Sequence, residues 1–307
     1  MKKYRGILIV NKFLNNSKFS DISARFMASA ERMGAELSLF TNDEILLAID
    51  DGLDVMPEGT LDADFVLFYD KDVLLARRLE QRELMLFNSS LAVMLCDDKA
   101  LTHLALDRAV PMPVTYIAPF TYENIGYNDI GFVEKMFDLL GAPLVIKEAC
   151  GSFGQQVYLA HDIDEAGGIL RKVGGKRVIF QQFIRSSAGR DIRLNVVGGR
   201  VIAAMRRFSE HGDFRANISN GGSMLPYTPT PEEEEIAIRA AELLDLDFGG
   251  VDLLQSDDGP LLCEVNSNAH FRSIEECTGV NAADEIMAHV IRSIGGNPHY
   301  ANGLRLV

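Results

Sequence analysis

The chain has 307 residues, of which 47% are apolar and 24% are charged, and its formal net charge is −14. This length suits about two domains and supplies enough apolar side chains for a folded core. The composition excludes disordered and collagen-like proteins. A general nucleic-acid binder needs a basic face, so the strong acidity argues against a nucleic-acid partner.

The cysteines and the apolar runs exclude further classes. Cys96, Cys150, Cys263 and Cys277 lie far apart and lack the paired spacing of a zinc site. We therefore expect reduced thiols and a cytoplasmic protein. The apolar run at 6–10 is too short for a secretory signal, and polar residues interrupt the longer runs before they reach the length of a membrane span. The sequence predicts no membrane partner.

The first hundred residues alternate between apolar runs and amphipathic segments. Buried strands are predicted over 6–10, 35–40, 63–69 and 91–95. Helices are predicted over 20–33, where apolar side chains share one face, and around 72–85. Strands that alternate with helices favour parallel βαβ units. No glycine-rich dinucleotide fingerprint follows the first run, so we do not expect an NAD site.

The rest of the chain is richer in strands. A helix is predicted over 97–115, with Pro111 and Pro113 at its end. The clearest helix covers 230–246, with Thr230 as its N-cap. Strands are predicted over 142–148 and 178–184. Two hairpins are predicted, one over 191–207 with its turn at Gly198-Gly199 and one over 249–255 with 260–266.

Asp252, Glu264 and Asn266 form the strongest cluster of candidate ligands. Glu264 and Asn266 are two positions apart on a strand and share a face, and a turn near position 258 places Asp252 opposite Glu264. Two carboxylates this close are unfavourable without a cation. Oxygen ligands without His or Cys select Mg²⁺ or Mn²⁺. The alternative is an acidic rim facing water, and the apolar character of both strands favours the metal.

A cationic segment comes before this cluster. Lys147 ends an apolar strand, and Gly151, Ser152 and Gly154 follow in a loop whose backbone N–H groups could approach phosphate oxygens. The loop lacks the ending of a Walker A motif, and a plain hairpin turn is the alternative. Lys99 stands at the start of a helix, where it could reach a phosphate or face water.

The strand 178–184 and the segment after it could bind a nucleoside. Its backbone could face a base edge, and Asp191 could accept hydrogen bonds from ribose hydroxyls. Arginines follow at Arg190, Arg193, Arg200, Arg206, Arg207 and Arg215. Their rigid guanidinium fork suits phosphate or carboxylate. For Arg200 and for either Arg206 or Arg207, the alternative is a strand position that faces solvent. Arg215 lies in a polar glycine-rich loop, where it could stabilise a transferring phosphoryl group.

In this order and spacing, the segments resemble the ATP-grasp superfamily and, within it, the RimK-like carboxylate–amine ligases. The matching segments are DKA (98–100), PLVIK (143–147), GSFG (151–154), QQFI (181–184), GRDIR (189–193), GDFRANISNGG (212–222), GVDLL (250–254), EVN (264–266) and TGVNAAD (278–284). The resemblance implies an α/β (α+β) ATP-grasp fold. A Rossmann-like pre-ATP-grasp domain would cover 1–96, a central lid subdomain 97–185, and a C-terminal catalytic subdomain 186–307.

The resemblance also implies which residues bind ATP. They are Lys99, Lys147, Gly151, Ser152, Gly154, Gln181, Gln182, Phe183, Ile184, Asp191, Arg193 and Arg215. Lys99 and Lys147 would contact the phosphates. The backbone of Gln182 and Ile184 would hold adenine, and Asp191 would hold the ribose.

The implied reaction begins with phosphorylation of a carboxylate by ATP. An amine then attacks the acyl phosphate, which gives an amide, ADP and phosphate. Lys147 and Arg215 would be the catalytic residues, and Asp252, Glu264 and Asn266 would bind one or two Mg²⁺ or Mn²⁺ ions. We expect a glutamate-like amino acid to be added to a peptide, a protein tail or a small metabolite, by a homodimer or homotetramer.

Two segments depart from the RimK-like pattern. The hinge reads Gln181-Gln182 where Gln-Glu is usual, and Ser-Asn-Ala-His follows EVN where Ser-Pro-Gly is common. The second segment is similar to relatives that act on α-aminoadipate in carrier-linked lysine biosynthesis. Candidate substrate contacts are Asn217, Asn268, His270 and Arg272. Two other functions stay open, namely a non-catalytic ATP-binding regulatory module and a D-alanyl-type dipeptide synthesis.

Overall fold

The computed structural model describes residues 4–14, 17–49, 53–151, 154–210, 212–216 and 221–296. Within these ranges the strands are β1 (Arg5–Val10), β2 (Glu36–Thr41), β3 (Phe65–Tyr69), β4 (Leu86–Phe87), β5 (Thr115–Ile117), β6 (Leu144–Glu148), β7 (Val157–Ala160), β8 (Val178–Gln182), β9 (Arg190–Val197), β10 (Arg200–Ser209), β11 (Gly222–Pro226), β12 (Phe248–Ser256) and β13 (Gly259–Asn266). The helices are α1 (Ser17–Arg32), α2 (Val73–Gln81), α3 (Ser90–Asp97), α4 (Lys99–Ala105), α5 (Phe132–Leu140), α6 (Ile163–Val173), α7 (Pro231–Leu243), α8 (Arg272–Thr278) and α9 (Ala282–Gly296).

The described strands form three sheets. The first has the order β2-β1-β3-β4, and its neighbours are parallel, as the alternation of strands and helices predicted. The second has the order β5-β8-β6-β7 and the third the order β11-β10-β9-β12-β13, both with antiparallel neighbours. The second sheet carries Lys147, and the third carries the predicted metal ligands.

Residues 91–95 lie in α3, so the prediction of a strand there is wrong. The hydroxyl oxygen of Ser89 accepts a hydrogen bond from the backbone N–H of Ala92 and caps the helix. Ala92, Val93 and Cys96 are buried. Five apolar residues in a row suit a buried strand and a buried helix equally well, and the preceding serine was the signal for a helix.

The helix predicted over 97–115 is shorter than expected. The carboxylate of Asp98 accepts hydrogen bonds from the N–H groups of Ala100 and Leu101, and α4 ends at Ala105. The chain then turns through Arg108, whose φ of 58° is left-handed. The prolines at 111 and 113 lie beyond this turn, so placing the helix end there was wrong.

The glycine turn and the capped helix are confirmed. Gly198 and Gly199 have φ values of 55° and 73°, which a tight two-residue hairpin turn requires. The hairpin joins β9 to β10. Thr230 and Glu233 form a reciprocal capping box at the start of α7. The acidic first turn of this helix therefore has a structural role.

The second hairpin places Asp252 directly opposite Glu264, as predicted. The turn pairs Ser256 with Gly259, and this register alone would not bring the two carboxylates together. A β-bulge next to Leu253 shifts the register by one residue and produces the pairing. The sequence argument had the right pair but assumed a symmetrical turn.

Asn88 joins the N-terminal sheet to the third sheet. Its amide nitrogen donates to the carbonyl oxygens of Phe248 and Ser267, at 2.9 and 3.0 Å. Its side-chain oxygen accepts from the backbone N–H groups of Asp247 and Phe248 at 2.8 and 3.1 Å. All four bonds are buried, so they fix the N-terminal sheet against the strand that carries Asp252.

Candidate active site

A cleft lies between the second and third sheets. The predicted residues that line it are Lys147, Gly154, Gln181, Gln182, Phe183, Ile184, Asp191, Arg215, Asp252 and Glu264. Lys99 reaches the same cleft, because its Nζ lies 3.6 Å from Glu264 Oε1. Ser152 and Asn217 lie outside the described residues. The fold thus brings together the two clusters that the sequence placed far apart.

Two buried ammonium groups form the wall of the cleft that comes from β6 and α4. Lys147 is 5% exposed, and its Nζ donates to the Sγ of Cys263 at 3.5 Å. Lys99 is also 5% exposed and donates to the carbonyl oxygen of Gly151 at 3.1 Å. Neither ammonium has a carboxylate at hydrogen-bond distance among the described residues. Burying such charges is costly unless an anion joins them.

His103 shares this wall, and the sequence argument missed it. It stands four residues after Lys99 on α4 and is 7% exposed. Burial and the charges of Lys147 and Lys99 lower the pKa of His103 to about 3, so its ring is neutral at physiological pH. Its Nε2 lies 3.3 Å from Gln181 Nε2, which also donates to the hydroxyl of Thr115 at 2.9 Å. The i,i+4 spacing from Lys99 was the signal that could have found it.

The segment from Gln181 to Ile184 leaves β8 at the edge of the cleft. The side chain of Gln181 is buried, whereas Gln182 is exposed and its backbone N–H donates to the carbonyl oxygen of Val114 at 2.9 Å. The ring of Phe183 makes an edge contact with Phe214 at a centroid distance of 6.4 Å. Adenine binding by this segment stays a prediction.

On the opposite wall, four charged side chains form a chain of ion pairs on the third sheet. Arg207 donates from Nε and Nη2 to both carboxylate oxygens of Asp191 at 2.7 Å, and its Nη2 lies 2.9 Å from Asp252 Oδ2. Arg193 donates from Nε and Nη2 to the two oxygens of Asp252 at 2.6 Å. Both carboxylates therefore have arginine partners within the fold.

Burial and charge act in opposite directions in this network. Burial disfavours the ionised form of Asp252, but the charges of Arg193 and Arg207 outweigh it and keep the pKa of Asp252 below its usual range. For Asp191, burial raises the pKa and Arg207 opposes the shift. Of Arg206 and Arg207, Arg207 is the one that does not face solvent. It is missing from the predicted site residues. Ribose binding by Asp191, whose oxygens both contact Arg207, stays a prediction.

Of the three predicted metal ligands, Asp252 and Glu264 line the cleft, whereas Asn266 is not part of its lining. Asp252 and Glu264 are directly opposite on neighbouring strands, and Asn266 follows on the same face as Glu264. The amide nitrogen of Asn266 is buried without a hydrogen-bond partner in the described part of the chain. No group of three or more His, Cys, Asp or Glu side chains there could hold a metal, so the candidate set depends on this amide. Two carboxylates and an amide oxygen fit Mg²⁺.

Arg215 connects two loops at the rim. Its Nη1 donates to the carbonyl oxygen of Gly154 at 2.7 Å. Its Nε and Nη2 donate to the two carboxylate oxygens of Asp213 at 3.0 and 2.8 Å. These hydrogen bonds keep the pKa of Asp213 below its usual range. Arg215 is thus held at the mouth of the cleft beside the glycine turn.

The structure places three predicted substrate residues away from the lining of the cleft. Asn268 donates from Nδ2 to the carbonyl oxygen of Asp70 at 2.7 Å. Arg272 begins α8, where its Nε donates to Glu276 at 2.7 Å. His270 is half-buried. Their contact with a substrate stays a prediction.

Comparison with known proteins defines the class. The family model of the RimK-like ATP-grasp domain matches residues 96–290. This match covers more than half of the chain, which therefore belongs to the RimK-like ATP-grasp family. The protein is a ligase of the ATP-grasp class.

Relatives and solved structures agree with this assignment. A probable alpha-L-glutamate ligase from Trichodesmium erythraeum is 37% identical over 226 residues, 72% of this chain and 73% of that protein. One from Stutzerimonas stutzeri is 38% identical over 237 residues, 76% of this chain and 75% of that protein.

Two solved structures share the fold. An ATP-grasp RimK domain protein from Sphaerobacter thermophilus has a TM-score of 0.68 at 22% identity and covers 93% of this chain and 98% of its own. D-alanine–D-alanine ligase from Bacillus anthracis, complexed with ATP, has a TM-score of 0.70 at 17% identity and covers 95% and 97%. In the described ranges, each helix is too short or too polar to span a bilayer.

Proposed function

We propose that the protein uses ATP to join the amine of a glutamate-like amino acid to the carboxylate of an acceptor. The observation that carries this proposal is the pair of buried lysines. Lys99 and Lys147 lack a hydrogen-bonded carboxylate, and they face a sheet whose carboxylates Asp191 and Asp252 already have arginine partners. A polyphosphate between the walls would supply the missing negative charge.

The proposed reaction has two steps. An oxygen of the acceptor carboxylate attacks the γ-phosphorus of ATP, the bond from phosphorus to the β,γ-bridging oxygen breaks, and an acyl phosphate and ADP form. The amine nitrogen then attacks the acyl carbon, the bond from carbon to the phosphate oxygen breaks, and the departing phosphate takes up the proton that the nitrogen loses. The products are an amide, ADP and phosphate. Lys99 and Lys147 would hold phosphate oxygens, and Arg215 would neutralise charge on the transferring group.

A divalent metal fits the opposite wall. Asp252, Glu264 and Asn266 would hold Mg²⁺, one or two ions, and the metal would supply charge neutralisation on the phosphates. The arginines that hold Asp252 keep its carboxylate ionised and oriented. Solved structures of the ATP-grasp ligase PsnB with Mg and ADP support the same choice of cofactors.

Three further assignments, on domains, substrates and assembly, complete the proposal. The sheets suggest units over 1–96, 97–185 and 186–307. The relatives named probable alpha-L-glutamate ligase support glutamate as the amino acid, and PsnB complexes with a precursor peptide support a peptide acceptor. We further propose a cytoplasmic homo-oligomer.

The test is ADP release from a matrix of substrates. L-glutamate, L-α-aminoadipate and D-alanine would each be combined with carboxylate acceptors that include short peptides ending in glutamate, and products would be weighed by mass spectrometry. We expect ADP release that requires both substrates, and an amide product with glutamate.

Two variants complete the experiment. Lys147→Met should abolish ADP release, whereas Lys135→Met, which removes an exposed lysine on α5, should not. ATP binding without ADP release across the whole matrix would contradict the proposal and would indicate a regulatory module instead.

A further inference from the structure

The side-chain amide of Gln181 lies on the cleft face of the second sheet. Gln181 pairs with Val145 of β6, which also lines the cleft, and Lys147 follows two residues later on the same face. The facing sheet presents Leu254 to the same space. A flat base between Val145 and Leu254 would therefore lie with one edge beside the Gln181 amide. Its phosphates would extend toward Lys147.

Thr115, the partner of Gln181 on the neighbouring strand β5, fixes the orientation of this amide. The Nε2 atom of Gln181 lies 2.9 Å from the hydroxyl oxygen of Thr115. That hydroxyl has a single hydrogen, which it donates to the carbonyl oxygen of Pro113 at 2.8 Å. Thr115 can therefore only accept from Gln181. The nitrogen of the amide, and not its oxygen, must face Thr115.

His103 accepts the second N–H of the same amide. Its Nε2 lies 3.3 Å from Gln181 Nε2, which is a donor, so this ring nitrogen must offer its lone pair. The ring is neutral, because burial and the charges of Lys147 and Lys99 lower the pKa of His103 to about 3. Its proton is therefore on Nδ1, which is buried and has no hydrogen-bond partner in the described residues. A buried donor without an acceptor is costly, and folds keep such groups mainly at functional sites.

The oxygen of the Gln181 amide is the atom that remains for a ligand. Oε1 makes no hydrogen bond in the described part of the chain, and it is not one of the fully buried atoms that lack a partner there. It is therefore open to the cleft that Gln181 lines. An amide oxygen accepts hydrogen bonds and cannot donate them, so this edge of the cleft selects a hydrogen-bond donor.

We propose that Thr115 and His103 are positioning residues that hold the Gln181 oxygen toward the nucleobase, where it accepts a hydrogen bond from an exocyclic amino group. The inference rests on the proposed function and adds to it the residues that select the base. Adenine carries an amino group at position 6, whereas guanine and hypoxanthine carry an oxygen acceptor there. Two acceptors that face each other repel, so the fixed amide favours ATP over GTP and ITP.

The first test measures the binding of ATP and of purine riboside triphosphate by calorimetry. The second nucleotide lacks only the 6-amino group, so contacts with the ring nitrogens are the same for both. Gln181→Met keeps the length of the side chain and removes the acceptor, and Gln81→Met makes the same change at an exposed position on α2. The preference for ATP, taken as the ratio of the two dissociation constants, should fall about tenfold in Gln181→Met and stay unchanged in Gln81→Met. An unchanged ratio in Gln181→Met would overturn the inference.

The second test uses ATP and ITP on the positioning residues, with the thermal midpoint of each variant as a check of folding. Thr115→Val keeps the shape of the side chain and removes the hydroxyl, so the amide of Gln181 can turn over and donate to the 6-oxo group of ITP. The preference for ATP should then fall about tenfold, and about threefold in His103→Leu, which leaves one of the two anchors. Thr115→Ser keeps the hydroxyl and should keep the preference. So should Thr121→Val, which removes a hydroxyl that donates to Gly126 outside the cleft.

A preference for ATP over ITP that survives in a folded Thr115→Val protein would overturn the positioning role. So would an equal loss of preference in Thr115→Ser and Thr115→Val, because the hydroxyl would then not be the group that matters.

The two proposals fail in distinguishable ways, because nucleotide binding is measured without the other substrates. Amide formation, with a preference for ATP that is the same in the wild type, Gln181→Met and Thr115→Val, would refute the selection of the base and leave the ligase function standing. A preference that depends on these two residues, with no ADP release from any substrate pair, would refute the ligase function and support the selection of the base.

Discussion

Buried charges are compensated differently on the two walls of the cleft. On the third sheet, Asp252 has arginine partners at 2.6 to 2.9 Å, so its charge is balanced inside the fold. On the β6 and α4 wall, Lys99 and Lys147 are equally buried and have no carboxylate that close in the described chain. A balanced network holds its shape without a ligand, whereas the lysine wall, with Glu264 at 3.6 Å from Lys99, carries positive charge that we propose an anion compensates.

The largest loss of activity is expected when Glu264, the carboxylate between the two walls, is replaced. Glu264 has no arginine partner among the described residues and is 3.6 Å from the ammonium of Lys99. Glu264→Gln should lower the rate of ADP release on the order of 10³-fold, because it removes a carboxylate that we propose as a ligand for the metal. Its thermal midpoint should stay close to that of the wild type.

The matched control is Asp257→Asn, at the exposed tip of the same hairpin, which should keep full activity. If Glu264→Gln retained more than about a tenth of the wild-type rate, the metal assignment would be wrong.

Breaking the arginine network should destabilise the fold. Arg207→Met leaves Asp191 with no arginine partner in the described chain, and we expect a loss of roughly 3–5 kcal/mol in the free energy of unfolding. Urea unfolding at pH 7 measures it. Arg200→Gln, which removes a half-exposed partner of Glu285, should cost less than about 1 kcal/mol. Equal losses in the two variants would show that the network is not structural.

The pH dependence of the free energy of unfolding tests the environment of His103, which lies beside the two buried lysines. Its pKa in the folded protein is about 3 against an ordinary 6.5. A lowered folded pKa means that only the unfolded chain takes up the proton between these values, so the stability from His103 is full above pH 6.5 and falls as pH drops toward 3. From pH 7 to pH 5, the wild type should lose about 2 kcal/mol more than His103→Gln in urea unfolding. An identical loss in both proteins would exclude a buried neutral histidine.

The smallest effect is expected at Asp213, a positioning residue that holds Arg215 through its guanidinium and backbone N–H. Asp213→Asn should lower kcat about tenfold and leave KM for ATP nearly unchanged. In the Arg215→Gln background the same change should have no further effect, since the residue it positions is gone. Additive losses in this double-mutant cycle would argue for a separate role of Asp213.

Local rules predicted much of the fold. Alternating runs gave the parallel first sheet, the Gly198-Gly199 pair gave a hairpin turn, and Thr230 gave a capped helix. These features depend on near neighbours in the chain. The strand prediction for 91–95 was wrong because a short apolar run has no hydrophobic period, and because the role of Ser89 as a helix cap was overlooked.

The site was only partly predictable, since its charges come from distant segments. The sequence predicted that Asp252 lies opposite Glu264 from the number of residues on each side of one turn, although a β-bulge produces this pairing. The pairing of Asp191 with Arg207 depends on the register between two strands, and the sequence argument could not decide whether Arg206 or Arg207 faced solvent. The spacing of His103 from Lys99 was visible in the sequence, but its lowered pKa also depends on burial and on Lys147, which comes from a distant strand.

The central claim is that ATP compensates the buried lysines. The most direct measurement compares wild type and Lys147→Met by calorimetric titration with ATP and by urea unfolding of the ligand-free proteins. The account predicts that Lys147→Met loses ATP binding while its ligand-free form is as stable as the wild type or more stable, because an unpaired buried charge is gone. A variant that is less stable without ligand and still binds ATP would contradict the account.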